Sequence, residues 1–177
     1  MNKIKEIIAL IIISLILNGC VKNSSISAKN SIGDGEDDFW IDYPSLHPQS
    51  GQKVAHPEWV LNEIEKKPLI ILVHSNNCLP CIQQQKDLEE VMEEYGNKII
   101  YIDILTDGSD SRAWDAYNIY YPQAGQWYIP LTIIISKVEY KEETQIIWHS
   151  EIGRTGKEWL IEYISDAISY YGAEYEI

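Results

Sequence analysis

The 177-residue chain contains four short runs rich in aliphatic and β-branched residues, which predict four β-strands. Residues 69–73 are all apolar, a pattern typical of a strand that is buried on both faces of a sheet, and the mostly apolar residues 98–105 predict another buried strand. Residues 131–136 and 145–149 are joined by a charged turn. We therefore expect these last two runs to pair antiparallel as a hairpin.

Apolar residues spaced by three or four positions predict helices between these strands. The first helix follows Pro57, which suits the first helical position, and ends before Pro68. The second begins near residue 78 and has Gly96 or Asn97 as its C-terminal cap. The apolar faces of the second and the last helix are formed by Leu88, Val91, Met92 and Tyr95, and by Leu160, Tyr163, Ile164, Ala167, Ile168 and Tyr171.

The order of these elements predicts one α/β domain over residues 39–177, with a central mixed β-sheet flanked by helices. A further short helix is expected at residues 112–117. The last helix follows a capping box in which Thr155 and Glu158 satisfy free backbone amides reciprocally. Residues 39–55 are expected to be irregular, with one short edge strand.

The beginning of the chain has the features of an export signal. Two lysines precede the apolar residues 7–17, a run well short of the roughly 20 residues that a membrane-spanning helix needs. The run ends at Leu17-Asn18-Gly19-Cys20, which resembles the lipobox of prokaryotic lipoproteins. This resemblance implies a signal peptide over residues 1–19 and a lipid on the thiol of Cys20, which anchors an extracytoplasmic protein to the cell membrane. An ordinary signal peptide with a chance cysteine is the alternative, and it also predicts export.

Composition narrows the possible partners of the exported chain. Residues 20–38 are rich in Ser, Asp and Gly and offer little apolar surface to bury, so we expect a flexible tether. The formal net charge of -13 argues against nucleic-acid backbones and anionic lipid surfaces as partners.

Cys78 and Cys81 are the two cysteines besides Cys20, and they lie three positions apart where a predicted strand meets a predicted helix. At that spacing they lie on one helical turn, close enough to form a disulfide. A disulfide that closes so short a loop constrains the unfolded chain little, which favours a chemical over a structural purpose. The alternatives are a buried inert pair or half of a zinc site. No metal or other cofactor is expected, because zinc needs further ligands and no ligand-like spacing occurs among His47, His56, His74 and His149.

Three motifs in order resemble the thioredoxin superfamily, and the resemblance covers roughly residues 56–171. The first is Cys78-Leu79-Pro80-Cys81, with proline before the second cysteine. In the second, Tyr128-Ile129-Pro130-Leu131-Thr132, Pro130 matches the cis-proline that lies beside the redox pair of that family. The third is Ser150-Glu151-Ile152-Gly153, which matches the glycine at the turn before the last helix. The resemblance implies a thioredoxin-like fold.

The resemblance also implies roles for individual residues. Cys78 is expected to be the nucleophile, because free amides and the helix dipole at a helix N-terminus favour a negative charge. It attacks a substrate disulfide, and Cys81 resolves the mixed disulfide by forming the Cys78–Cys81 bond. The backbone of Ile129 and the ring of Pro130 are expected to contact an extended substrate segment. The implied partners are protein thiols or disulfides and a redox partner protein.

The sequence departs from the family near the cysteines. Leu72 occupies the position, six residues before the first cysteine, where thioredoxins commonly carry a buried carboxylate. His74 is either a hydrogen-bonded wall residue or a group that tunes the thiol or relays a proton. Asp103, on the next strand, is either a solvated residue at a strand end or a substitute for the missing carboxylate.

Residues 117–128 form a longer approach to Pro130 than is usual in the family. One hypothesis is that Tyr120, Tyr121 and Trp127 form a lip that selects protein substrates, and the other is that they pack within a long loop. The whole sequence predicts a membrane-tethered, extracytoplasmic thiol–disulfide oxidoreductase, leaning to reductase because Leu79 and Pro80 add no positive charge. The alternative is a non-catalytic binding module that holds a client protein or a metal.

Overall fold

The centre of the domain is a mixed sheet of five strands, seen in a computed structural model that describes residues 27–140 and 143–175. The predicted signal peptide and Cys20 lie outside the described residues. In chain order the elements are α1 (Glu58–Ile64), β1 (Leu69–His74), α2 (Leu79–Tyr95), β2 (Ile100–Leu105), α3 (Arg112–Tyr120), β3 (Leu131–Tyr140), β4 (Glu143–Ile152), α4 (Lys157–Tyr170) and β5 (Glu174–Tyr175). No helix in the described part of the chain is long and apolar enough to cross a membrane.

The strands are arranged in the order β2-β1-β3-β4, and β5 pairs with the far end of β3. β1 is parallel to β2 and antiparallel to β3, and β3 and β4 form the predicted antiparallel hairpin. Every residue of β1 is buried, as expected for a central strand. The strand predicted at residues 98–105 is observed as β2, but it is only partly buried. Because β2 is an edge strand, Ile102 and Ile104 are buried while Asp103 between them is exposed.

Alternation along β1 divides the core into two layers, one on each face of the sheet. Leu69, Ile71 and Val73 pack on the side of α1 and α3. Ile70 and Leu72 pack on the other side, against the apolar faces of α2 and α4. The central mixed sheet flanked by helices is therefore confirmed. The redox motif begins α2 directly after β1, so its position is fixed by a fully buried strand.

Residues 27–38 do not form the tether that was predicted for them. The carboxylate of Asp166 on α4 is almost fully buried and accepts hydrogen bonds from the backbone amides of Lys29 and Asn30, at 2.9 and 2.8 Å. Phe39 and Trp40 then enter the core, and Trp40 forms an antiparallel bridge with Trp148 along the outer side of β4, the last strand of the sheet. The predicted edge strand in this region is reduced to isolated bridges. Docking is favoured because Asp166 needs partners once it is buried.

Docking of this segment encloses the ring of His149. The imidazole is stacked between Trp40 and Tyr163, with ring centroids 4.6 and 4.3 Å away. Its Nδ1 bonds to the carbonyl oxygen of Asp38, and its Nε2 is buried with no partner among the described residues. Burial lowers the pKa of His149 from 6.5 to about 4.

Replacing His149 with Phe is expected to flatten the dependence of stability on pH. Between pH 6.5 and 4, His149 is protonated in the unfolded chain but not in the folded protein. The free energy of unfolding therefore falls as pH falls. The wild type should lose on the order of 3 kcal/mol more than the variant across this window. Denaturant titrations at several pH values measure the difference, and parallel curves would contradict it. His56, whose pKa burial also lowers to about 4, is present in both proteins.

Candidate active site

Cys78 and Cys81 form a disulfide at the first turn of α2, with their Cα atoms 5.2 Å apart. Cys78 is the N-cap residue, in an extended conformation, and Pro80 lies within the first turn, where a missing N–H costs no helical hydrogen bond. The preceding loop is held by Ser75, whose carbonyl oxygen accepts from the amide of Cys78 and whose hydroxyl accepts from the amide of Asn77. The predicted position of Cys78 at a helix N-terminus is confirmed.

The two cysteines have unequal surroundings. Cys78 is half-buried, whereas Cys81 is completely buried beneath the helix. The backbone amide of Cys81 donates to the sulfur of Cys78 across 3.2 Å. A donor at this position, together with the positive end of the helix dipole, favours negative charge on the Cys78 sulfur once the disulfide is reduced. Cys78 is thus the sulfur that solvent and a partner can reach.

The second motif lies against this disulfide, and the third motif contacts the second. The bond between Ile129 and Pro130 is cis, and the carbonyl oxygen of Ile129 lies 3.9 Å from the sulfur of Cys78. The amide of Gly153 donates to the carbonyl oxygen of Pro130 across 2.7 Å. Gly153 has a φ of +89°, a conformation that favours glycine. The turn after β4 therefore supports the segment that contacts Cys78.

A neutral polar cluster lies under α2, on the face of the sheet that contains Leu72. Leu72 is fully buried, and its partner across β3 is Thr132. The buried amide of Gln84 donates to the hydroxyls of Thr132 and Thr155, at 3.0 and 2.9 Å, and accepts from the amide of Thr155. The predicted capping box was therefore wrong: the N-cap of α4 is Gly156, without a side-chain cap, because Gln84 takes the polar groups of Thr155.

Replacing Gln84 with Ala is expected to cost about 2–3 kcal/mol of unfolding free energy, because two threonine groups lose their partner in a buried site. Gln83, the exposed neighbour on the same helix, provides the matched control. Its replacement by Ala should change stability by less than about 0.5 kcal/mol. Urea titrations of both variants measure the contrast, and equal effects would show that the cluster does not hold α2 in place.

His74 and Asp103 form a pair at the end of the sheet nearest the redox loop. The Nε2 of His74 lies 2.6 Å from a carboxylate oxygen of Asp103, which also accepts from the hydroxyl of Tyr101. The side chain of His74 is almost fully buried, whereas that of Asp103 is partly exposed. Burial raises the pKa of Tyr101, which keeps its hydroxyl a donor. In the described structure no hydrogen bond joins His74 to either cysteine. Of the two alternatives for His74, the structure therefore shows the hydrogen-bonded wall residue.

The approach to Pro130 differs from the predicted lip. Tyr120 and Tyr121 are buried, so for these two the packing alternative is right. The hydroxyl of Tyr121 donates to the carbonyl oxygen of Gln126 and accepts from the amide of Tyr128, which fixes the loop. Trp127 remains 38% exposed. Trp114 and Tyr128 are also exposed, and they were not identified from the sequence. The spacing of residues along a helix or loop does not show which aromatic rings are buried by other elements of the fold.

Among the described residues, no group of three or more His, Cys, Asp or Glu side chains is arranged to hold a metal ion. Cys78 and Cys81 are joined to each other, which leaves no thiolate free as a ligand while the disulfide is intact.

Similarity to known proteins is found among solved structures only. No protein-family model matches the chain, and no curated protein matches it. Among solved structures, the thioredoxin of Trichomonas vaginalis is 21% identical (TM-score 0.40), and the match covers 55% of this chain and 79% of that one. The oxidized mitochondrial thioredoxin 3 of Saccharomyces cerevisiae is 20% identical (TM-score 0.43), over 59% and 84% of the two chains. The thioredoxin of Fasciola hepatica is 16% identical (TM-score 0.44), over 62% and 89%.

The assignment of the fold rests on the topology described above. The mixed sheet in the order β2-β1-β3-β4 has helices on both faces, the disulfide lies at the start of α2, and a cis-proline lies beside it. A mixed sheet flanked by helices, a cysteine pair at a helix start and a cis-proline were expected from the resemblance, and all three are observed. The strand order itself was not predicted. The described part of this chain is a domain with the thioredoxin-like fold.

Proposed function

We propose that the chain is a thiol–disulfide oxidoreductase that exchanges disulfides with protein substrates through Cys78 and Cys81. The observation that carries the proposal is the unequal burial of the pair at a helix N-terminus. The sulfur of Cys78 is accessible and receives a backbone N–H, while Cys81 is buried one turn behind it. This arrangement suits one attacking and one resolving sulfur.

The reaction proceeds in two exchanges. The thiolate of Cys78 attacks one sulfur of a client disulfide, forms a mixed disulfide, and releases the other client sulfur, which takes up a proton from water. Cys81 loses its proton and attacks the sulfur of Cys78, which forms the intramolecular disulfide and releases the second client thiol. Two electrons pass from the protein to the client. A redox partner protein must then reduce the Cys78–Cys81 disulfide before another cycle.

Substrate main chain is positioned by the segment before β3. The carbonyl oxygen of Ile129 is the backbone group next to the reactive sulfur, and an extended client chain could pair with it as a strand pairs with a sheet edge. Ile129 and Pro130 are therefore the proposed substrate-binding residues. A protein that oxidised its clients would use the same contacts. The uncharged residues Leu79 and Pro80 favour the direction in which this protein reduces its clients. A reduction potential measured against glutathione decides the direction.

The experiment that tests the proposal traps the intermediate. Replacing Cys81 with Ser should leave a client protein disulfide-bonded to Cys78, because the resolving attack is lost. Non-reducing electrophoresis of the full chain, purified from cells, detects the adducts. The double variant Cys78→Ser/Cys81→Ser is the control and should carry none. A Cys81→Ser protein without adducts would favour the non-catalytic binding module instead.

We further propose that the protein acts outside the cytoplasm, anchored through a lipid on Cys20. The support is the sequence Leu17-Asn18-Gly19-Cys20 after an apolar run of signal-peptide length. The wild type should incorporate a labelled fatty acid, and replacing Cys20 with Ser should abolish the incorporation. Labelling of the variant, or a wild type that takes up no label, would contradict the lipid anchor.

A further inference from the structure

Three aromatic rings, joined through Trp127, form a partly uncovered surface on the chain segment that leads into the proposed active site. They are Trp114 and Tyr117 on α3 and Trp127 on the loop before Pro130, called here the aromatic platform; the exposed Tyr128 follows Trp127 in the chain. Trp114 is 64% exposed and Tyr128 is 55% exposed. Large exposed aromatic side chains that lie together mark a binding surface more often than scattered ones do.

The platform is held in place before any partner arrives. The indole of Trp127 stacks flat on Tyr117, with ring centroids 4.7 Å apart and planes 5° apart. Trp114 meets Trp127 edge-on at 5.6 Å. Behind them the buried hydroxyl of Tyr121 holds the backbone on both sides of Trp127, through Gln126 and Tyr128. Rigid aromatic groups bind with little loss of conformational entropy.

The platform is continuous with the site of disulfide exchange. Trp127 and Tyr128 directly precede Ile129, whose carbonyl oxygen is 3.9 Å from the sulfur of Cys78. A client segment paired with the Ile129 backbone would advance about 3.3 Å per residue, so a side chain two to four residues from its cysteine reaches the rings. On the helix beside Cys78, Leu79 and Ile82 are also exposed apolar side chains.

Charge indicates which client segments fit. The whole chain has a formal net charge of -13. Asp107 is exposed beside the redox loop, where it accepts from the hydroxyl of Ser75 and has no ion pair with any described residue. The negative charge of the chain attracts positive side chains of a client, and so does contact with the faces of exposed indole rings.

We propose that the aromatic platform binds an extended, basic segment of a client protein that carries an aromatic or large aliphatic side chain two to four residues from its reactive cysteine. The inference rests on the proposed function and names its substrate class. Trp114 and Trp127 are then specificity-determining residues, because they contact the client but take no part in the exchange of sulfur bonds.

The test compares peptide disulfides that differ at one position. The reduced full chain is mixed with two lysine-containing peptides, each with a cysteine linked to glutathione, that carry either Trp or Ser three residues from the cysteine. We expect the second-order rate with the Trp peptide to be about tenfold higher. Trp114→Ala and Trp127→Ala should each remove most of this preference. Ile161→Ala, which truncates a 41% exposed side chain on α4, should retain it.

A second pair of measurements separates this inference from the proposed function. Oxidised glutathione carries neither a large apolar side chain nor a net positive charge for the platform to bind, so both Trp variants should reduce it at about the wild-type rate. A wild-type protein that reduces glutathione but shows equal rates with the two peptides would overturn the platform and leave the proposed function standing. A wild-type protein inert towards all three disulfides would overturn the proposed function itself.

Two controls keep the result tied to docking. Trp114 is the more exposed of the two indoles, so Trp114→Ala tests the inference even where Trp127→Ala proves unstable. Sedimentation of the wild type and of Trp114→Ala tests whether a second copy of the chain covers the rings. A dimer that this substitution dissociates would overturn the proposal in favour of self-association.

Discussion

Replacing Cys78 with Ser is expected to reduce turnover of a protein disulfide to the background rate of the buffer. The variant lacks the accessible sulfur at the helix N-terminus, and the remaining sulfur of Cys81 is completely buried. Among the described residues no other cysteine is present to take over the first exchange, and a serine hydroxyl does not attack disulfides under these conditions. The effect is measured as the rate at which a disulfide-linked protein substrate releases free thiols.

The stability of the same variant separates chemistry from structure. The disulfide closes a loop with a sequence separation of 3, so its removal should change the free energy of unfolding little. The comparison is made with both proteins reduced, in which state the substitution only exchanges a sulfur atom for an oxygen atom. Turnover by the Cys78→Ser protein above background would contradict the assignment of the nucleophile. Loss of turnover together with unfolding would leave the chemical role without support.

Replacing Trp148 with Ala is expected to cost about 3–5 kcal/mol of unfolding free energy, the largest effect on stability that we foresee. Trp148 is fully buried in the centre of β4. Its ring meets Trp40 and Tyr120 edge-on, with centroids 5.0 and 5.3 Å away. It therefore joins the edge of the sheet to both the docked N-terminal segment and α3. Denaturant titration measures the loss.

Two matched substitutions show what part of this cost is due to burial. Trp114→Ala removes the same side chain from a position that is 64% exposed and should cost less than about 1 kcal/mol. Trp148→Phe keeps an aromatic ring and removes an indole N–H that has no partner among the described residues, so it should cost less than Trp148→Ala. Similar losses in Trp148→Ala and Trp114→Ala would contradict the central position of Trp148.

The elements predicted well from the sequence are those whose pattern depends on local chemistry. The apolar run of β1 indicates a buried strand because a residue in the middle of a sheet cannot expose either face. Cys78 was expected at a helix start because proline and the following polar residues suit a first turn. Pro130 was identified by its place in a motif. As β1 pairs with β3, the structure brings the preceding residue, Ile129, to Cys78 although the two are 51 positions apart in the chain.

The predictions that were wrong concern partners distant in sequence. Thr155 has the spacing of a helix cap, yet Gln84 on another helix engages it instead. Residues 27–38 have a linker composition, yet Asp166 binds the backbone amides of Lys29 and Asn30, and composition carries no information about such backbone contacts. β5 was missed because two residues carry no periodic signal; they form a strand by pairing with Glu139 and Tyr140.

The sequence by itself determined the cysteine pair and the order of the four helices and of strands β1 to β4, and it is the whole support for the export address that we propose. These follow from residue type and spacing along the chain. Only the tertiary structure decided which aromatic rings are buried and which are free. Tyr120 and Tyr121 enter the core while Trp114 and Tyr128 stay exposed, although all four lie within residues 114–128. The physical reason is that exposure depends on what packs against a side chain, and at this edge the cover comes from β4 and the N-terminal segment, both far away along the chain.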